Sequence, residues 1–301
     1  MDRFSTSLLG EAKTLLLATD GSHYSDGAVQ EAIFFGQACQ ARVLILHVVP
    51  IDAESLKQAN AKIMHRQQEL SAYFAQIRKM AQDSGTECDI IVIGSPTPEH
   101  AIVEQAKIRG ADVILMGRRG RAGRLYLITA SMTAKVISQG FPMILILPEE
   151  SLLTGSHVLV AVEDSPGSRL AVEQALSLGT CCATLKRITF VAVAKAKADL
   201  DHARSMAEHI CVQGRERCPH LHFEGLAEAG HPSNVIVRMA EELGVDMIMI
   251  GGMKSGPLPR MFTGRVTKEV CGWAHCGVLV VTAGQPGHTI SATSTENTTK
   301  N

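Results

Sequence analysis

Residues Gly117–Ser131 read GRRGRAGRLYLITAS and follow directly on the apolar run ADVILM. Three glycines and four arginines therefore stand where a buried strand should end. At Gly117 and Gly120 the main chain can approach a ligand with no side chain between them. Ser131 opens the next helix, so its N–H and those of Met132 and Thr133 point at anything seated there. A helix N-terminus carries about half a unit of positive charge, and Arg118, Arg119, Arg121 and Arg124 add to it. That chemistry suits phosphates. Surface turns are often rich in Gly and Arg, and a single G-x-x-G is weak evidence. What favours a site is its place at a strand end, where ligands sit in open α/β sheets.

Two better-known phosphate motifs are excluded. No Lys-Ser or Lys-Thr follows a suitable glycine, so there is no P-loop. The first strand ends in Thr19-Asp20-Gly21-Ser22, which is not the G-x-G-x-x-G of dinucleotide folds. The site instead pairs glycines after the fourth strand with an acid after the first. Asp20 can accept hydrogen bonds from a ribose or a base amino group, or it can cap its own turn.

The chain that must position these residues repeats itself. LLLATDGS (Leu15–Ser22) returns as VLVAVEDS (Val158–Ser165), GADVILMG (Gly110–Gly117) as GVDMIMIG (Gly244–Gly251), and FPMILIL (Phe141–Leu147) is echoed by GVLVVTA (Gly277–Ala283). Three matches in one order imply two copies of one domain, 1–150 and 151–284. The Ser-, Thr- and Asn-rich stretch 285–301 follows as a disordered tail. In copy one the apolar runs Thr14–Thr19, Arg42–Val49, Asp89–Ile93, Asp112–Met116 and Met143–Leu147 hardly alternate, which suits parallel strands covered on both faces. Helices are expected from Ser25 or Asp26, as N-caps, to Cys39, then over Ser55–Ser84, Pro98–Arg109 and Ser131–Gln139. Gly85, Gly110 and Gly140 stop the last three. Copy two repeats the plan with a shorter second helix, around Asp199–Gln213. The fold expected is α/β: two doubly wound, parallel, five-stranded sheets in tandem.

Composition narrows the function. The 301 residues carry a formal net charge of -1, which calls for no nucleic-acid partner, and 4% aromatics argue against a stacking platform for single strands. No apolar run approaches the ~20 residues of a membrane span, and the N-terminus lacks the apolar core of a signal peptide. A cytoplasmic protein with reduced thiols is expected. His209, Cys211, Cys218, His220, His222, His275 and Cys276 gather types that zinc accepts, but without a C-x2-C pair an incidental cluster is the favoured reading. Cys181-Cys182 are read as small buried residues at a turn. His23 has no G-x-S-x-G elbow beside it and is read as a surface turn residue rather than a base. Met64, Tyr73, Phe74, Ile77 and Met80 are read as a helical stripe packed on the sheet.

ATDGS after the first strand, LHVV at the end of the second and MG-x2-G-x9-[small]-S after the fourth resemble the universal stress protein family, over nearly all of both copies. The resemblance implies a Rossmann-like, adenine nucleotide alpha hydrolase-like fold. The family motif G-x2-G-x9-G-[ST] binds ATP, with or without magnesium. Carried over by position, Thr19, Asp20 and the backbone of Val48 meet the adenosine. Met116 lines the pocket, and Gly117, Arg119, Gly120, Ala130, Ser131, Met132 and Thr133 surround the ribose and phosphates. Ala130 stands where the family has its third glycine. Family domains pair through the last strand, so FPMILIL and GVLVVTA are expected to pair within this chain, and two chains can form a homodimer.

Copy two departs further. Glu163 and Asp164 replace Asp20 and Gly21, Lys254 replaces Gly120, Gly264-Arg265 replaces Ala130-Ser131, and Pro257 and Pro259 stiffen the loop. Its site is expected to be degenerate, though Lys254, Arg260 and Arg265 can still hold another anion. Three functions follow: an ATP-binding regulatory protein, a slow ATP hydrolase or phosphotransferase, or a scaffold empty of nucleotide. Phosphoryl transfer wants a metal held by acids. The loop offers no acid beyond Asp20, so binding is favoured over turnover.

Overall fold

Runs such as LLLA and VILM have no polar residue to turn toward water, so they settle in the middle of a sheet with helices on both sides. The computed structural model describes residues 9–52, 55–118, 132–150, 153–252 and 264–283. The strands are β1 (Thr14–Ala18), β2 (Arg42–Pro50), β3 (Cys88–Ser95), β4 (Val113–Gly117), β5 (Met143–Leu147), β6 (His157–Val162), β7 (Arg187–Ala194), β8 (His222–Ala229), β9 (Met247–Gly251) and β10 (Gly277–Val281). The helices are α1 (Asp26–Cys39), α2 (Leu56–Glu69), α3 (Ser71–Ser84), α4 (Pro98–Ile108), α5 (Met132–Ile137), α6 (Pro166–Cys181), α7 (Leu200–Arg217), α8 (Pro232–Glu242) and α9 (Arg265–Trp273).

The two expected sheets are fused into one of ten strands, in the order β3-β2-β1-β4-β5-β10-β9-β6-β7-β8. Pairing is parallel within each half. The join is antiparallel, with Met143 opposite Val281 and Leu145 opposite Leu279. It covers two apolar edges that would otherwise invite other chains. One core lies between the sheet and α1, α3, α6 and α7, and includes Phe35, Phe74, Ile77, Leu176 and Phe190. The other lies under α4, α5, α8 and α9, around Ile102, Val136, Phe141, Ile236 and Val270. Among the described residues no helix is long and apolar enough to cross a membrane.

Strand order reverses between β1 and β4. From β1 the chain crosses to β2 through α1 on one face. From β3 it returns to β4 through α4 on the other. A crevice therefore opens beyond the carboxyl ends of β1 and β4.

Four details depart from the sequence reading. The helix expected over Ser55–Ser84 is two helices that meet at Leu70, whose φ of -88° and ψ of 8° break the helical path. Phe74 and Ile77 on α3 are buried, but Met64 on α2 is 71% exposed and does not belong to the stripe. Ser25 does not cap α1 with its side chain; its hydroxyl is turned toward Asp20 instead. The second helix of the second half runs four residues beyond Gln213, to Arg217. The site residues Arg119, Gly120, Ala130 and Ser131, the further arginines Arg121 and Arg124, the second-half residues Lys254, Pro257, Pro259 and Arg260, and the tail 285–301 lie outside the described residues.

Candidate functional site at the β1–β4 switch point

Ala18 pairs with Met116, so the residues that follow β1 and β4 leave the sheet side by side. Ala18, Val48 and Met116 belong to the face that α4 and α5 cover. Met116 is buried there, 4% exposed, as part of that core. Met132 and Thr133 open α5.

The turn after β1 is held from several directions. Thr19 N–H donates to the Leu46 carbonyl at 3.0 Å, continuing the ladder one residue past the strand. Thr19 Oγ1 accepts from Gly21 N–H at 3.1 Å and shares a 2.9 Å hydrogen bond with the Tyr73 hydroxyl. Asp20 Oδ1 accepts from Ser22 N–H at 2.9 Å, Ser22 Oγ at 2.6 Å and Ser25 Oγ at 3.3 Å. Asp20 thus caps its own turn, as one of its two readings had it, while remaining exposed to solvent. Gly21 has φ of +76°, a conformation that favours glycine, and a Cβ there would fall 2.6 Å from Leu70 Cδ2.

Three side chains brace this turn to which sequence reasoning assigned no part in the site, Tyr73 having been read only as one of a helical stripe. His47 Nδ1 lies 2.9 Å from the Thr19 carbonyl. Arg66 Nε donates to His47 Nε2 at 3.4 Å, and Arg66 Nη2 donates to the Asp20 carbonyl at 3.1 Å. Burial pushes His47 below its ordinary value, and the guanidinium adds to that. Burial also lifts Tyr73 to about 12, so its hydroxyl stays protonated. His47 had a signal in the sequence, as the lone polar residue of LILHVV. Arg66 had none, because it looks like any cation on a polar helix.

Gly117 has a structural reason as well as a proposed functional one. A Cβ there would fall 2.6 Å from the Tyr24 carbonyl oxygen and 3.0 Å from Ser25 Cα. At Gly251, its counterpart at the end of β9, a Cβ would fall 2.3–2.5 Å from Gly167 and Ser168 backbone. In both halves, then, the strand end packs directly on the turn that opens the first helix.

Arg118 corrects the reading that all four loop arginines gather around a phosphate. It is 8% exposed. Its guanidinium donates to the carbonyls of Gly272, at 2.7 Å, and of Ala274, where α9 of the other half ends. A helix C-terminus presents unpaired carbonyls and partial negative charge, which is where a buried cation finds partners.

At the matching helix N-terminus of the second half, the described side chains are paired with one another. Arg265, which replaces Ser131, donates through Nε to Glu269 Oε1 at 2.7 Å. Glu269 Oε2 accepts from Ser233 Oγ at 2.7 Å, and Ser233 Oγ lies 2.9 Å from His231 Nδ1. Ser233 and Glu269 are both buried. Burial opposes charge on Glu269, but the hydrogen bonds from Arg265 and Ser233 outweigh it and hold the carboxyl below its ordinary value. Arg265 therefore carries Glu269 as an ion-pair partner on its own helix. Asp164 is paired with Arg169 at 2.9 Å. Among the described residues no group of three or more His, Cys, Asp or Glu could hold a metal. His209 instead faces Gln213 on α7, and Cys211 and Cys218 are buried.

An open α/β sheet with its crevice at a strand-order reversal, built twice in one chain, defines a tandem Rossmann-like protein. The universal stress protein family model matches residues 11–148 and again 156–282. The chain belongs to the universal stress protein family, as a tandem member. Universal stress protein Sll1388 of Synechocystis is 24% identical over 139 residues, covering 41% of this chain and 89% of that protein. Universal stress protein MJ0531 of Methanocaldococcus jannaschii is 26% identical over 141 residues, covering 45% and 81%. The crystal structure of a universal stress protein from Archaeoglobus fulgidus DSM 4304 superposes with a TM-score of 0.68 at 20% identity, over 90% of this chain and 98% of that one. That likeness extends to both halves of the fold.

Proposed function

We propose that this protein is a regulatory ATP-binding protein that works by holding the nucleotide rather than turning it over. The site is the β1–β4 crevice of the first half. Asp20 and the Val48 backbone meet the adenosine, and the Gly117–Thr133 segment meets the ribose and phosphates, with magnesium as an optional companion of the phosphates. The observation that carries this reading is the Asp20 turn, braced by Thr19, His47, Arg66 and Tyr73 beside Gly117. It stands where the ATP motif of the resembled family begins. The second half supports pairing and partner contact, with Lys254 in the place of Gly120 and Arg265, in the place of Ser131, tied to Glu269. A cytoplasmic location and pairing of two chains belong to the same proposal.

Equilibrium dialysis of ATP against the full chain and against Asp20→Ala tests it. Weaker binding by the variant supports the reading. Equal binding removes Asp20 from the site, and no binding by either protein leaves the scaffold reading in its place.

A further inference from the structure

Among the described residues, α2 is a helix that the first half has and the second lacks. Between β7 and β8 the second half has only a 3-10 turn (Lys197–Asp199) and α7. α2 buries no residue completely. Leu56 and Met64 on it are exposed. A helix so polar all round does not hold itself against a sheet by hydrophobic burial. Ile63 touches the Gly94 region, where a Cβ would fall 2.9 Å from Ile63 Cδ1. The remaining polar attachment runs through Arg66 to His47 and the Asp20 carbonyl.

We propose that Arg66 is a positioning residue of the nucleotide site: it grips the Asp20 turn by its carbonyl and needs the neutral form of His47 as its second hold. The proposal rests on the nucleotide reading above. Its partners dictate the form of His47. The Thr19 carbonyl can only accept, so Nδ1 carries the proton. The Arg66 Nε–H can only donate, so Nε2 carries none. A second proton on His47 would turn an N–H toward the Arg66 N–H and break the hold. The groups around the imidazole are Arg66 and its ion-pair partner Glu69 on α2, Asp20 and the Thr19 carbonyl after β1, and Tyr73 and Phe74 on α3. The second half has none of this set: Val162, Glu163 and Ala192 occupy the places of Thr19, Asp20 and His47. The brace therefore occurs in the half that has Gly120, and is missing from the half where Lys254 stands in that place.

The direction of the pH effect follows from His47. It titrates below the ordinary histidine value of 6.5. Arg66 holds the turn above that range and loses its grip as pH falls through it. The test is ATP affinity of the full chain and of Arg66→Gln and Arg66→Lys between pH 8 and pH 5. At pH 8, Arg66→Gln should bind about tenfold more weakly, the scale on which residues supporting a binding group act. Arg66→Lys, which keeps one donor for the Asp20 carbonyl, should recover part of that. The ratio of wild-type to Arg66→Gln affinity should shrink toward one as His47 protonates; the titration of ATP itself is common to both proteins and cancels. Equal affinities at pH 8, or a ratio that does not change with pH, would overturn the role of Arg66 while leaving the nucleotide site standing. Failure of the wild type to bind ATP would overturn the nucleotide reading itself, and this role with it.

Discussion

Arg118 and Gly272, 154 residues apart, are joined by a 2.7 Å hydrogen bond from a buried guanidinium to the end of α9. The last residue of one half's strand end thereby caps the final helix of the other. With the β5–β10 ladder beside it, the two halves share both a sheet and a buried polar contact.

Replacing Arg118 with Met should therefore cost stability. Two hydrogen bonds from a charged donor would be lost and two helix-terminal carbonyls left without them, about 2–4 kcal/mol in all. Urea unfolding of the full chain measures it. A loss below about 0.5 kcal/mol, typical of surface changes, would show that the contact is dispensable.

The two strand-end glycines give a sharper contrast. Gly117→Ala and Gly251→Ala each place a methyl against backbone at 2.6 Å or less. Both should destabilise the chain, by about 1–3 kcal/mol, the usual cost of overpacking. If glycine served only a ligand, Gly251→Ala would be harmless in a half for which no nucleotide is proposed.

Asp246 accepts hydrogen bonds from Thr154, Ser156 and His157, at 2.7–3.1 Å, and so ties the chain entering β6 to β9. Burial alone would raise its carboxyl, but these donors outweigh burial and the value is lowered. A group depressed in the folded state adds stability above its unfolded pKa, and that stability is lost as pH falls through the folded value. Asp246→Ala should cost about 2–3 kcal/mol at pH 7. The gap from wild type should narrow below about pH 3.9, where the unfolded carboxyl takes up its proton. Thermal melts from pH 7 to pH 3 read this directly, and a gap that stays constant would count against the carboxylate.

Much of the fold was legible because the chain states it twice. LLLATDGS and VLVAVEDS become β1 and β6 with their following turns, and GADVILMG and GVDMIMIG become β4 and β9. The break at Leu70 was not legible, since no Gly or Pro lies between Ser55 and Ser84. What turns the chain there is Leu70 packing on Gly21, some fifty residues away in sequence. The place of the candidate site could be read, because the strand ends that carry Asp20 and Gly117 follow from local patterns. Its supports could not. Arg118 looks like a loop cation until α9 is folded against it, and Arg66 looks like surface charge until the Asp20 carbonyl is beside it. Glu269 likewise stands at an ordinary helical position, and only packing brings Ser233 to its second oxygen.

The central claim is one nucleotide site per chain, in the first half only. Calorimetric titration of the full chain with ATP and magnesium tests it most directly, alongside Asp20→Ala and Glu163→Ala. The account predicts a stoichiometry of one, weakened by Asp20→Ala and untouched by Glu163→Ala. Two sites per chain, no site, or a single site that responds to Glu163→Ala instead would contradict it.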